Sequence, residues 1–234
     1  MPLDDDLKAE VKKIFKTTWT TRAGQVVPDP ENLALGNEAV EFDRATVLYA
    51  DLNGSTRMVD KKRWEFSAEV YKAFLHCAAK VIRQEGGEIT AYDGDRIMGI
   101  FIGDSQSTRA AKAGLKINWV TKHVVQPALK EQYTNSDFTV RHVVGIDTSP
   151  IRAARTGVRG DNDLVWVGRA ANYAAKLNEL GHLLESTFIT AAVFKKIAND
   201  AKYGGAAKEL MWKKYKWTQM KDQEIYGSNW SWKL

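Results

Sequence analysis

Thr46-Val-Leu-Tyr-Ala-Asp-Leu-Asn-Gly-Ser-Thr56 opens as a strand and closes as a turn. Val47, Leu48 and Tyr49 form a short apolar run that predicts a buried strand over 45–51. The run stops on Asp51, and Asn53-Gly54-Ser55-Thr56 turns the chain at once. A carboxylate at the tip of a buried strand can hold Mg²⁺, and a glycine turn offers backbone N–H groups to phosphate oxygens. Taken alone the stretch favours an ordinary Asx turn, so any chemistry depends on partners elsewhere.

The chain around it is that of an ordinary globule. With 234 residues, 44% hydrophobic and 27% charged, it can bury one good core, with residues 1–42 as an N-terminal helix and linker before a domain over 43–234. No apolar stretch approaches the length needed to span a membrane, and Met-Pro-Leu-Asp-Asp-Asp lacks the regions of a signal peptide. Cys77 is the only cysteine, which excludes an intrachain disulfide and fits a cytoplasmic protein, the thiol being expected in a helix core. Thirty-four Lys and Arg against 29 Asp and Glu leave +5, a mild excess that favours an anionic ligand.

A charged amphipathic helix is expected over 4–18 (Leu7, Val11, Ile14, Phe15), then a polar linker through Pro28 and Pro30 to about Phe42. Apolar residues spaced by three and four from Trp64 to Ile82 predict a long helix, closed by Gly86-Gly87. Two strand-like runs flank Asp93-Gly94-Asp95 and predict a hairpin. A second long helix over 105–130 is expected to end near Pro127. Strands follow at 138–146 and 150–158, a helix at 169–180, a strand at 186–189, a helix at 191–200 and two strands within 210–227. Helices mixed with antiparallel hairpins make the class α+β.

Three pieces converge on one chemistry. Asp51 and Asp95, on the tips of neighbouring strands, could hold two metal ions close together. Asn172 and Lys176, four apart on a helix, share a face, so that an amide could fix a ribose while a cation meets charge on a phosphate. Together and in this order, with Val47–Thr56, Gly86-Gly87 through Gly94-Asp95, Val140–Ile146 and Val167–Leu177, they resemble the catalytic domain of the class III nucleotidyl cyclases from about residue 44 to 227. The resemblance implies a ferredoxin-like α+β domain, a head-to-tail homodimer with sites at its interface, and two Mg²⁺ or Mn²⁺ ions per site. It makes Asp51, Asp95 and the Leu52 carbonyl metal ligands. The backbone of Asn53, Gly54, Ser55 and Thr56 would hold the triphosphate, together with Lys216. Asn172 matches the ribose-orienting asparagine. Lys176 stands where the family usually has an arginine, and so keeps the charge but loses the planar fork.

The pattern breaks where adenylyl and guanylyl cyclases read their purine. Those two positions hold Ala91 and Val165, neither of which can form a side-chain hydrogen bond, and Tyr49 replaces the usual phenylalanine beside the base. A compact cyclase with these losses resembles the pyrimidine cyclases of the bacterial Pycsar anti-phage systems. The resemblance implies cyclic UMP, ahead of cyclic CMP, made from UTP or CTP and acting on a separate effector protein, with no membrane and no nucleic acid as partner. Three readings compete with it: an adenylyl cyclase, a non-catalytic nucleotide-binding module, and a single-strand binder using Trp212, Tyr215 and Trp217 among lysines. That last stretch reads more simply as a strand with one wet face.

Overall fold

The computed structural model describes residues 2–234. Its helices are α1 (Leu3–Lys16), α2 (Ser55–Lys61), α3 (Trp64–Gln84), α4 (Gln106–Val120), α5 (Gln126–Gln132), α6 (Arg169–Leu177), α7 (Ala191–Lys196) and α8 (Asn199–Lys202). Its strands are β1 (Thr20–Ala23), β2 (Glu38–Leu52), β3 (Glu88–Asp93), β4 (Arg96–Phe101), β5 (His142–Val158), β6 (Asp161–Val167), β7 (Thr187–Thr190), β8 (Tyr203–Gly204), β9 (Glu209–Leu210), β10 (Lys213–Trp217) and β11 (Gln223–Ser228).

One sheet organises the molecule, in the order β10-β11-β7-β5-β2-β4-β3. β1 lies along the start of β2, and β6 along the far half of β5. β2 is central because its alternating side chains are apolar on both faces. Leu48, Ala50 and Leu52 point to the side covered by α3 and α4, where Phe74, Ile82, Phe101 and Leu115 complete the larger core. Val47 points to the other side and packs with Met98, Ile100, Ile151 and Trp166 under Ala170, Ala171 and Ala174 of α6. A fully buried side chain of this size contributes about 1.5–3 kcal/mol, so the two layers pin the register of β2. The α+β class expected from the sequence is the one found.

Several boundaries differ from those expectations, each for a local reason. The expected strand over 45–51 extends back to Glu38, and Thr20–Ala23 pairs with it in parallel, so part of the expected linker is sheet. The strands expected at 138–146 and 150–158 are a single strand starting at His142, although Pro150 lies inside it. A bulge in β2 between Phe42 and Ala45 sits opposite Pro150, where no ladder N–H is required. The helix expected to end near Pro127 continues to Gln132 because a wider π-turn over Thr121–Val125 comes just before the proline. The hairpin at Asp93-Gly94-Asp95 forms where expected, with Gly94 at φ +60°.

Trp212 and Trp217 are buried, and the Trp212 indole N–H donates to the Ala201 carbonyl at 2.7 Å. Lys214 and Lys216 share the outward face, opposite Tyr215 and Trp217, as a strand with one wet face requires, and Lys213 is exposed at the start of the strand. Neither tryptophan is free to stack on a nucleic-acid base, which removes the platform that the single-strand reading needs. Cys77 is only half-buried, and that burial pushes its thiol pKa up. α1 has no buried residue and is held by Asn37, whose amide donates to the Ile14 and Thr17 carbonyls at 2.9 and 2.6 Å. No helix is long and apolar enough to cross a membrane among the described residues.

Candidate active site

Asp51 ends β2 on the face that also carries Val47 and Tyr49. Antiparallel pairing sets it opposite Arg96, the residue after Asp95, so the hairpin turn brings both carboxylates to one sheet end. Burial, then repulsion from Asp95, pushes the Asp51 pKa up to about 6, although Arg96 and the Leu52 N–H pull the other way. Asp95 Oδ2 is buried with no hydrogen-bond partner. A carboxylate oxygen shielded from water without a donor, beside a second carboxylate that it repels, is a site short of positive charge. Among the described residues no group of three His, Cys, Asp or Glu side chains could hold an ion. An ion placed here would be held by this pair and the Leu52 carbonyl next in the chain, hard oxygen donors of the kind that fit Mg²⁺ or Mn²⁺.

The turn after Asp51 is braced from both sides. The Asn53 backbone N–H donates to the Arg141 carbonyl at 2.8 Å and its side-chain amide to the Gly181 carbonyl at 2.6 Å. Asn53 thus fixes the turn, and the donors left for an anion are those at the start of α2, which have no intrahelical acceptor. Gly54 adopts φ +81°, a conformation glycine reaches without strain, and leads into Ser55 and Thr56. A cleft of about 870 Å³ opens against this turn, lined by Asn53, Gly54, Arg57, Lys61, Lys62 and Arg141 among others. Lys62 pairs with Asp137 at 3.7 Å, while Arg57, Lys61 and Arg141 have no ion-pair partner among the described residues. The sequence reading missed these three cations; the helical spacing of Arg57 and Lys61, four apart after the glycine turn, was the available signal.

A row across three strands lies next to the carboxylates. Tyr49 pairs with Met98, and Met98 pairs with Ala91, so the three sit side by side on one face. The row contains one polar atom, the Tyr49 hydroxyl, whose pKa burial pushes up. Val165 lies on β6 between Leu164 and Trp166, which pack in the same layer as Tyr49, Met98 and Ala91, so its exposed side chain faces the other way. The small cleft lined by Ile89, Thr90, Asp163 and Leu164 takes in neither Ala91 nor Val165. The Arg96 guanidinium sits 5.3 Å from the centre of the Tyr49 ring and donates to Asp93 at 2.6 Å, while its Nε is buried without a partner. Arg96 was also missed; a cation directly after Gly94-Asp95 was the visible hint.

Asn172 and Lys176 occupy the exposed face of α6, with no side-chain partner among the described residues. The opposite face of the helix, Ala170, Ala171 and Ala174, is the one seated on the sheet. Gly145 in β5 permits the close approach, since a Cβ there would meet the Ala174 carbonyl at 2.2 Å. Lys216 points outward from β10. Within one chain, then, the carboxylates sit on the sheet while Asn172 and Lys176 turn their backs on it.

No family profile matches the chain. A uridylate cyclase of Burkholderia cepacia is 51% identical over 99% of both chains, and one of Xanthomonas perforans is 47% identical over the full length of both. A third, from Rhodovulum sp. (strain MB263), is 35% identical over 93% of this chain and 91% of its own. Among solved structures, a bacterial light-regulated adenylyl cyclase superposes with TM-score 0.67 at 19% identity over 83% of this chain. This chain spans about half of that one, 53%. The guanylyl cyclase Cya2 superposes with the same score at 17% identity over 82% of this chain and 94% of its own.

Proposed function

The chain belongs to the uridylate cyclase family and is a nucleotide cyclase with the class III catalytic fold, and from there we propose that it converts UTP, ahead of CTP, to the 3′,5′-cyclic monophosphate and pyrophosphate. In this reading the product is a second messenger of defence against phage, acting on a separate effector protein in the cytoplasm. One observation supports the choice of base: the row Tyr49–Met98–Ala91 lacks the paired polar side chains that a purine reader needs. The fully covered relatives named uridylate cyclase point the same way.

Asp51, Asp95 and the Leu52 carbonyl would hold two Mg²⁺ or Mn²⁺ ions. When bound, these ions lower the pKa of the ribose 3′-hydroxyl and neutralise the departing pyrophosphate. The start of α2, the open cations of the adjoining cleft and Lys216 hold the phosphate tail, leaving the α-phosphorus open to in-line attack. Asn172 orients the ribose. The 3′-oxygen forms its bond to the α-phosphorus as the bond to the bridging oxygen breaks, the hydroxyl proton passing to solvent and the electron pair leaving with pyrophosphate. Lys176 meets the charge that develops on the α-phosphate oxygens. Because Asn172 and Lys176 face away from their own sheet, the complete site takes its carboxylates from one protomer and α6 from its partner, as a head-to-tail homodimer allows.

Incubation with ATP, GTP, CTP and UTP, each with Mg²⁺ or Mn²⁺, followed by mass analysis of the products, tests the reading. Cyclic UMP in excess over the other three products is expected. Mainly cyclic AMP would discard the base assignment and keep the cyclase. No product from any nucleotide, in protein shown to be folded and dimeric, would discard the proposed substrate.

A further inference from the structure

The proposed mechanism leaves unused one fully buried carboxylate, that of Asp147 in β5. It accepts two hydrogen bonds from Arg169, Nε to Oδ2 at 3.0 Å and Nη2 to Oδ1 at 3.2 Å, and a third from the Thr190 hydroxyl. Arg169 Nη2 also donates to the Thr148 carbonyl at 2.8 Å. Arg169 is the first residue of α6, where the helix dipole disfavours a cation. Helix formation alone does not account for an arginine there.

On its other side the Arg169 guanidinium lies 5.3 Å from the centre of the Tyr173 ring, one turn along α6. Tyr173 meets Trp217 edge-on at 5.6 Å, and its hydroxyl accepts from Gln223 at 3.2 Å. Trp217 follows Lys216 on β10, and Gln223 pairs with Trp217 on β11. The Arg169–Asp147 pair therefore joins α6 to β5 and, through Thr190, to the end of β7, and through Tyr173 it reaches β10. The sheet-facing side of α6 is mostly alanine, which packs closely but gives few knobs to fix the rotation of a nine-residue helix.

We infer that Arg169 is a positioning residue, which sets the rotation of α6 so that Lys176 meets the charge that develops on the substrate. The inference rests on the proposed role of Lys176. It predicts a defect in the chemical step more than in binding, because a shift of about 1 Å in a group that acts on the transition state costs up to about 100-fold.

A double-mutant cycle of Arg169→Gln and Lys176→Gln tests this, with kcat and KM for UTP and Mn²⁺ measured well below each variant's Tm. Expected for Arg169→Gln is a kcat lowered about 10- to 100-fold with KM changed less than about threefold. If Arg169 acts through Lys176, the double variant is scarcely slower than Lys176→Gln alone. Losses that multiply would overturn the inference and leave the role of Lys176 standing. A Lys176→Gln variant with full kcat would overturn instead the reading on which the inference rests. Should Arg169→Gln fail to fold, Asp147→Asn with Arg169→Gln leaves no unpaired buried charge and takes its place in the cycle. Full kcat in that neutral pair would reduce Arg169 to a counter-ion and overturn the inference.

Discussion

Asp51 carries two opposed demands. Its carboxylate must be ionised to hold a cation, yet burial and Asp95 raise its pKa to about 6. A folded-state pKa above the unfolded value of about 3.9 means that the unfolded chain gives up its proton first as pH rises. Stability is thus fully present below about pH 4 and is lost as pH climbs through 6. Two units amount to about 3 kcal/mol, which we discount to about 1 kcal/mol because the carboxylate is only half-buried. Asp51→Asn should therefore raise the Tm of metal-free protein at pH 8, leave it nearly unchanged at pH 4, and abolish turnover. Equal Tm values at pH 8 would show that the site stores no repulsion. Addition of Mn²⁺ should raise the Tm of the wild type but not that of the asparagine variant.

At the scale of elements, His142 shows how the central strands meet α3. It opens β5 opposite Leu52, its ring 5.7 Å from Phe74, buried and with Nε2 unpartnered. Burial, with Lys122 adding to it, lowers its pKa to about 3. The unfolded chain binds a proton at this residue below about pH 6.5 and the folded chain does not, so stability present above 6.5 is lost as pH falls towards 3. Between pH 7 and pH 5 this one group should cost up to about 2 kcal/mol. Urea unfolding of His142→Leu at both pH values should show a correspondingly smaller loss than the wild type. An identical loss in the two proteins would mean that the imidazole is protonated, or hydrated, in the folded state.

The same elements explain what could be read in advance. β4, α3 and the Asp93–Arg96 hairpin were legible because each has one clean period and its own stop signal. Pro127 and Pro150 misled because a proline's cost depends on a neighbour: a π-turn in one case and a bulge in the facing strand in the other. At the site, Asp51, Asp95 and Asn172 could be found from spacing. Arg169 could not, since its partner Asp147 lies 22 positions before it, and Thr190, the other donor to Asp147, lies 43 positions from that carboxylate, and the three meet only through the sheet.

For the whole molecule the decisive feature is the orientation of α6. Its alanine face lies on the sheet of its own chain, and Asn172 and Lys176 look outward, so the site proposed above draws its carboxylates from one chain and its helix from another. A dimer that shares its sites has a consequence that self-contained sites lack. Mix Asp51→Ala chains with Lys176→Ala chains, each inactive alone. Every heterodimer then has one site with both defects and one with neither. With random pairing, half of the dimers are mixed and each carries one working site, so about a quarter of the wild-type rate per chain should return. Two variants that both damage the same half, Lys176→Ala and Asn172→Ala, should give no recovery when mixed. If the first mixture stays inactive although mass measurement shows that heterodimers have formed, each site is built within one chain, and α6 must swing by a large angle to reach its own carboxylates.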